Sequence, residues 1–302
     1  MINVNGLVFE YPGQRALDDV AFTIRANSVT ALVGPNGAGK TTLMRCVCGL
    51  EKPLSGAVTV DGIDVITEPR LSHERLGYLS DFFGLYDALS VRQVLMHAAS
   101  ANGSRRNLPD AAATTAARLG LSDRLDQRVG ELSRGLRQRV AIGQAIIHEP
   151  KVLILDEPAS GLDPEARHDL AELFRTLQKD GMTLLVSSHI LAELGAYATD
   201  MLVIRGGRII EQRTLKDAAP LTREIVMELT DTDDAVNAVF DAFDNVSNIR
   251  RDGRRIRCAL NGDDDAQHRL LRALIEADIA VVSFATLERD LQQSYLESMQ
   301  AP

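Results

Sequence analysis

The sequence predicts an α/β protein whose larger part is built on parallel strands and whose smaller, C-terminal part is an α+β module. Three observations lead there. A glycine-rich stretch, Gly34-Pro35-Asn36-Gly37-Ala38-Gly39-Lys40-Thr41, lies between an apolar run that reads as a buried strand and a segment that reads as a helix. From residue 1 to about 219, strand and helix signals alternate, as they do when helices join the strands of one sheet. After Pro220 the order becomes β-α-β-β-α-β, that of a small ferredoxin-like unit. The chain has 302 residues, enough for one large domain or two ordinary ones, and 45% apolar residues supply their cores. The expected domains are therefore 1–219 and 220–302.

Tyr11, ahead of Pro12-Gly13, belongs to a first hairpin. Residues 29–33 form the strand before the glycine-rich loop, and residues 42–48 open the helix behind it. The loop fits G-x-x-x-x-G-K-[ST] at every required position. Its glycines let backbone N–H groups turn inward on phosphate oxygens, and the helix N-terminus adds positive potential. Lys40 is placed for the β- and γ-phosphates and the Thr41 hydroxyl for Mg²⁺. The residues alone thus predict a single site for a nucleoside triphosphate.

Residues 90–119 read as helical, with Ser90 as N-cap and Gly120 as the stop. Residues 151–157 form an apolar run ending in Asp156 and Glu157, a buried strand that delivers two carboxylates to its C-terminal edge. Asp156 suits Mg²⁺, and Glu157 suits polarisation of the water that attacks a γ-phosphate. Residues 182–186 form another apolar strand. In the second part, a strand at 223–229, a helix at 233–243, a hairpin turning at Asp252-Gly253, a helix at 266–277 and a strand at 279–285 precede a last helix at 291–299. Arg250, Arg251, Arg254, Arg255 and Arg257 crowd that hairpin, either as a solvated, edge-protecting pair or as a surface for anions.

A net charge of −9 argues against a nucleic-acid partner. No apolar run is long enough to span a bilayer, and the first residues carry no basic stretch followed by an apolar core, so a cytoplasmic protein is expected. Cys46, Cys48 and Cys258 lack metal-ligand spacing and read as small core residues.

With the phosphate loop and acidic strand in place, further motifs make the first 215 or so residues resemble ABC transporter ATPases. Leu132-Ser133-Arg134-Gly135-Leu136 is similar to that family's signature, Pro158-Ala159-Ser160-Gly161-Leu162-Asp163-Pro164 to its D-loop, and Ser187-Ser188-His189 to the strand end that carries its switch histidine. The resemblance implies a P-loop NTPase of the ABC type, a mixed sheet core with a helical subdomain at about 88–145. It implies ATP and Mg²⁺ as ligands, with Gly34, Pro35, Asn36, Gly37, Ala38, Gly39, Lys40, Thr41 and Thr42 around the nucleotide and Tyr11 against the adenine. The alternative for Tyr11 is a hairpin-packing tyrosine. Glu157 and His189 would be catalytic, and Thr41, Asp156 and Asp81 would hold the metal. Ser133, Arg134, Gly135 and Leu136 would contact the ATP of a partner subunit, with Asp163 in the dimer-interface loop, although Ser133 is also ordinary helix-start chemistry.

The family's Gly-Tyr-Leu-Pro-Gln reads here Gly77-Tyr78-Leu79-Ser80-Asp81, so an aspartate replaces the glutamine that touches Mg²⁺ and senses the permease. The expected function is the ATPase subunit of an exporter. It would be paired with a second copy or a related cassette, and docked on a separate membrane permease at the inner face of the cell membrane. The rival readings are a soluble ABC-type regulatory module uncoupled from transport and an ABC protein of translation or DNA repair.

Overall fold

The structure is a computed structural model; it describes residues 1–82, 84–103, 107–188, 194–215, 222–230 and 235–287. The chain divides into two compact units, Met1–Leu215 and Lys216–Pro302. The boundary expected at 219/220 falls within 216–221, outside the described residues.

The first unit carries two sheets. In the smaller, β1 (Ile2–Tyr11), β2 (Gln14–Ile24), β4 (Ser55–Val60) and β5 (Ile63–Asp64) pair antiparallel in the order β2-β1-β4-β5. In the larger, β3 (Val29–Val33), β6 (Leu76–Leu79), β7 (Val152–Leu155), β8 (Thr183–Ser188), β9 (Asp200–Arg205) and β10 (Arg208–Thr214) run in the order β10-β9-β3-β8-β7-β6. Only β10 is antiparallel to its neighbour, so the sheet is mixed, as expected. Strands β3, β7 and β8 are buried along their whole length, which explains their unbroken apolar runs. Helix α1 (Lys40–Val47) buries Leu43, Met44, Cys46 and Val47 in a core shared by both sheets, with Leu7, Phe9 and Leu17 on one side and Leu32, Ile154 and Leu185 on the other.

Helices α2 (Pro69–Arg75), α3 (Val91–Ala101), α4 (Leu108–Arg118), α5 (Arg134–Ile146) and α6 (Pro164–Lys179) complete the unit. The continuous helix expected at 90–119 is thus two helices. Ser90 does cap the first through a capping box with Gln93, but Asn102 ends it and Gly103, at φ 66°, turns the chain away. A new N-cap at Asn107 with a proline in the first turn starts the second. Cys46, Cys48 and Cys258 are buried free thiols. Among the described residues no helix is long and apolar enough to cross a membrane.

In the second unit β11 (Thr222–Leu229), α7 (Ala235–Asp241), β12 (Val246–Asp252), β13 (Arg255–Asn261), α8 (Asp264–Glu276) and β14 (Val281–Leu287) give an antiparallel sheet ordered β12-β13-β11-β14. Alternate residues Ile225, Met227, Ile256, Cys258 and Leu260 meet Val236, Phe240, Leu270 and Leu274 from the helices. This is the ferredoxin-like arrangement. The strand expected at 279–285 runs two residues later, and the helix expected at 291–299 lies outside the described residues.

Candidate active site

Parallel pairing gathers the chemistry at one sheet edge. Register places Val33 beside Ser188, Leu155 beside Val186, and Leu79 beside Leu155. The segments leaving β3, β6 and β7 therefore emerge together beyond the carboxyl ends of the strands, the place where open α/β sheets bind ligands. These segments are the glycine-rich loop, Ser80-Asp81 and Asp156-Glu157.

Gly39 immediately precedes α1 at φ 105°, and a Cβ there would lie 2.7 Å from the Ala16 carbonyl oxygen. Only glycine lets the chain enter the helix at that angle and packing distance. The Lys40 ammonium is buried within the loop and donates to the carbonyl oxygens of Gly34 (2.8 Å) and Pro35 (3.4 Å). It also lies 3.6 Å from Glu157 Oε1.

Asp156 is 1% exposed. One carboxylate oxygen, Oδ1, accepts from Ser187 Oγ at 2.6 Å; the other, Oδ2, is buried without a hydrogen-bond partner among the described residues. A buried, half-satisfied carboxylate beside the phosphate loop fits a divalent cation, for which the free oxygen would serve as a ligand. The Ser187 hydroxyl also accepts from the Glu157 backbone N–H at 2.8 Å, so one side chain of β8 orients both acids. Sequence reasoning did not single out Ser187, because only the β7–β8 register brings it there.

A pocket of ≈ 330 Å³ opens over this edge. Its lining includes Asn36, Asp81, Asp156 and Glu157 together with Arg134, Gln138 and Ser160. Asp81, whose carboxylate accepts from the Phe82 backbone N–H at 2.8 Å, thus shares a cavity with the acidic pair. A larger open groove, between α2 and the ends of α3 and α5, holds none of these groups.

The signature segment starts α5. Ser133 is its N-cap and accepts from the Leu136 N–H at 3.4 Å, leaving the first turn's amides at an exposed helix end. Gly135 approaches Ala166 of α6 closely. Asp163 caps α6, accepting from the Ala166 N–H at 2.8 Å. Tyr11 lies in the first hairpin away from the pocket, 39% exposed, with its ring edge-on to Phe9 at 4.9 Å, so the packing reading has a visible contact. His189 lies outside the described residues, directly after β8.

The family model described as ABC transporter matches residues 17–160. The chain is 35% identical over 204 residues to the ABC transporter ATP-binding protein NatA of Bacillus subtilis, covering 67% of this chain and 83% of that protein. It is 34% identical over 212 residues to the Nod factor export ATP-binding protein I of Rhizobium johnstonii, covering 70% and 68%. A solved structure described as the ATP binding subunit of an ABC transporter superposes with a TM-score of 0.63 at 31% identity, covering 72% of this chain and 91% of that one.

Proposed function

Because this chain belongs to the ATP-binding subunits of ABC transporters, which hydrolyse ATP to drive transport, we propose that it does so as a head-to-tail pair that powers export through a separate permease. The observation that carries the site reading is the convergence of Lys40, Asp156 and Glu157 at one sheet edge, where Asp156, which lines the pocket, keeps one buried oxygen without a partner. Lys40 leaves its carbonyl partners for the β- and γ-phosphates, where the amides of residues 34–42 surround the charge. Thr41, Asp156 and Asp81 would hold Mg²⁺, which when bound would supply positive charge to offset that of the phosphates. Glu157 polarises the attacking water. His189 stabilises the developing charge, and Tyr11 offers its ring face to the adenine.

The N-terminus of α5, where Ser133 and Arg134 are exposed, supports the pairing: a helix start is suited to an anion such as the γ-phosphate held by a second copy. Asp163 and its loop lie beside it and would meet the same partner. Export is supported by the likeness to a Nod factor export protein. The permease contact is supported by Phe82 and Tyr86, 88% and 73% exposed in the loop that follows Asp81. Docking there would hold the protein at the inner face of the membrane.

Flotation of native membranes tests the docking. The chain should float with its permease present and stay at the bottom of the gradient when the permease is deleted; undiminished flotation would contradict a permease-borne position.

A further inference from the structure

Arg134 directly follows Ser133 in the signature segment, where the resemblance implies contact with a nucleotide on another subunit. Its guanidinium instead reaches within its own chain: Nη2 donates to the Ser160 carbonyl oxygen at 3.1 Å. Ser160 belongs to the turn from Glu157 to the N-cap Asp163. That turn closes through Ser160 N–H to the Glu157 carbonyl (3.1 Å) and Leu162 N–H to the Ala159 carbonyl (3.2 Å). Next to the contact Gly161 sits at φ 69°, and a Cβ there would come within 2.5 Å of the Arg134 guanidinium, so the glycine makes room for the arginine. Gly135 meets Ala166 one helix turn along, and the two helix starts therefore abut at two adjacent points.

Glu157 has the left-handed φ of 48°, a conformation that a non-glycine residue keeps only when its surroundings enforce it. Strand β7 and Ser187 hold it on one side. On the other side it is held by the 158–163 turn, and Arg134 is the side chain that ties that turn to α5. We propose that Arg134 is a positioning residue for hydrolysis in its own subunit: it fixes the turn that aims Glu157, so the orientation of that carboxylate depends on where α5 sits. A planar, always-charged fork suits this better than a lysine, because it donates in a fixed direction to a carbonyl at a loop surface.

The inference rests on the hydrolytic role given to Glu157, and its test has an arm that does not. Hydrogen exchange is followed at the Ser160 and Leu162 amides of the nucleotide-free full chain, for wild type, Arg134→Ala and Arg134→Lys, with Lys179→Ala, exposed at the far end of α6, as a control. Arg134→Ala should speed exchange at both amides about tenfold, Arg134→Lys should fall between, and Lys179→Ala should match wild type. In steady-state phosphate release, Arg134→Ala should lower kcat about ten- to a hundredfold, as for a misaimed group, with KM for ATP within about twofold. Unchanged exchange at the two amides overturns the proposal. So does unchanged kcat with raised KM, the signature of a guanidinium that serves another copy's phosphate. If Glu157→Gln leaves turnover intact, the role of the carboxylate fails instead, and the exchange result still stands or falls by itself.

Discussion

The Lys40 ammonium lies 3.6 Å from Glu157 Oε1, with the two side chains only 8% and 19% exposed. The group proposed to grip the phosphates is thus paired with the group proposed to activate water. On that proposal ATP would draw Lys40 toward phosphate oxygens, and the Glu157 charge would both compete for it and repel the γ-phosphate.

Removing that charge while keeping the shape should therefore act in two opposite directions. Glu157→Gln should lose about 10²–10⁴-fold in kcat, the range for a general base, and bind ATP several-fold more tightly. Phosphate release and equilibrium titration with ATP check the two effects. Undiminished turnover would remove Glu157 from the chemistry.

Asp81 is shorter by one methylene than the glutamine that the resemblance to ABC transporter ATPases implies at this position, yet it shares the pocket with Asp156. Its contact with Mg²⁺ should run through water, so Asp81→Asn should raise the Mg²⁺ concentration for half-maximal hydrolysis, and Asp81→Gln should lower it by direct ligation. ATPase rates against Mg²⁺ for the three proteins decide this. Superimposable curves would make Asp81 a cap for the Phe82 amide and nothing more.

What was legible in the sequence was local. The glycine-rich loop and the apolar run ending in Asp156-Glu157 carry their own flanking elements, so strand, loop and helix could be read without the fold. The capping box at Ser90 was half-visible, since the serine was read as N-cap and its reciprocal partner Gln93 was not. The break at Asn102-Gly103 was hidden, because apolar spacing continues on both sides and one glycine is often tolerated in a helix. Long-range contacts were not legible at all. Ser187 meets Asp156 through sheet register, and Arg134 meets Ser160 through packing of α5 on the loop before α6.

The Ser90 cap gives a stability test apart from chemistry. Both halves of the box are formed, Ser90 Oγ accepting from the Gln93 N–H at 3.2 Å and Gln93 Oε1 from the Ser90 N–H at 2.9 Å. Ser90→Ala should cost about 1 kcal/mol in denaturant unfolding, with kcat unchanged. No loss of stability would mean that water replaces the cap.

Burial holds the His148 imidazole below its ordinary value of 6.5, partly countered by backbone groups of Leu76 and His73. The unfolded chain then takes up a proton that the folded chain resists. The contribution is fully present above the unfolded value and is lost as pH falls below it toward the depressed folded value. Wild type should therefore lose more stability than His148→Gln between about pH 8 and pH 5.5, read as the shift in urea midpoint. Parallel shifts would show that His148 titrates normally.

The proposed site is composite, completed by the α5 N-terminus of a second copy. Sedimentation of Glu157→Gln at rising protein concentration, with and without ATP and Mg²⁺, probes this pairing. A shift to twice the chain mass is expected only when ATP is present, abolished by Ser133→Arg, which blocks the helix start. A protein that remains monomeric in saturating ATP, or pairs regardless of nucleotide and of Ser133, would contradict it.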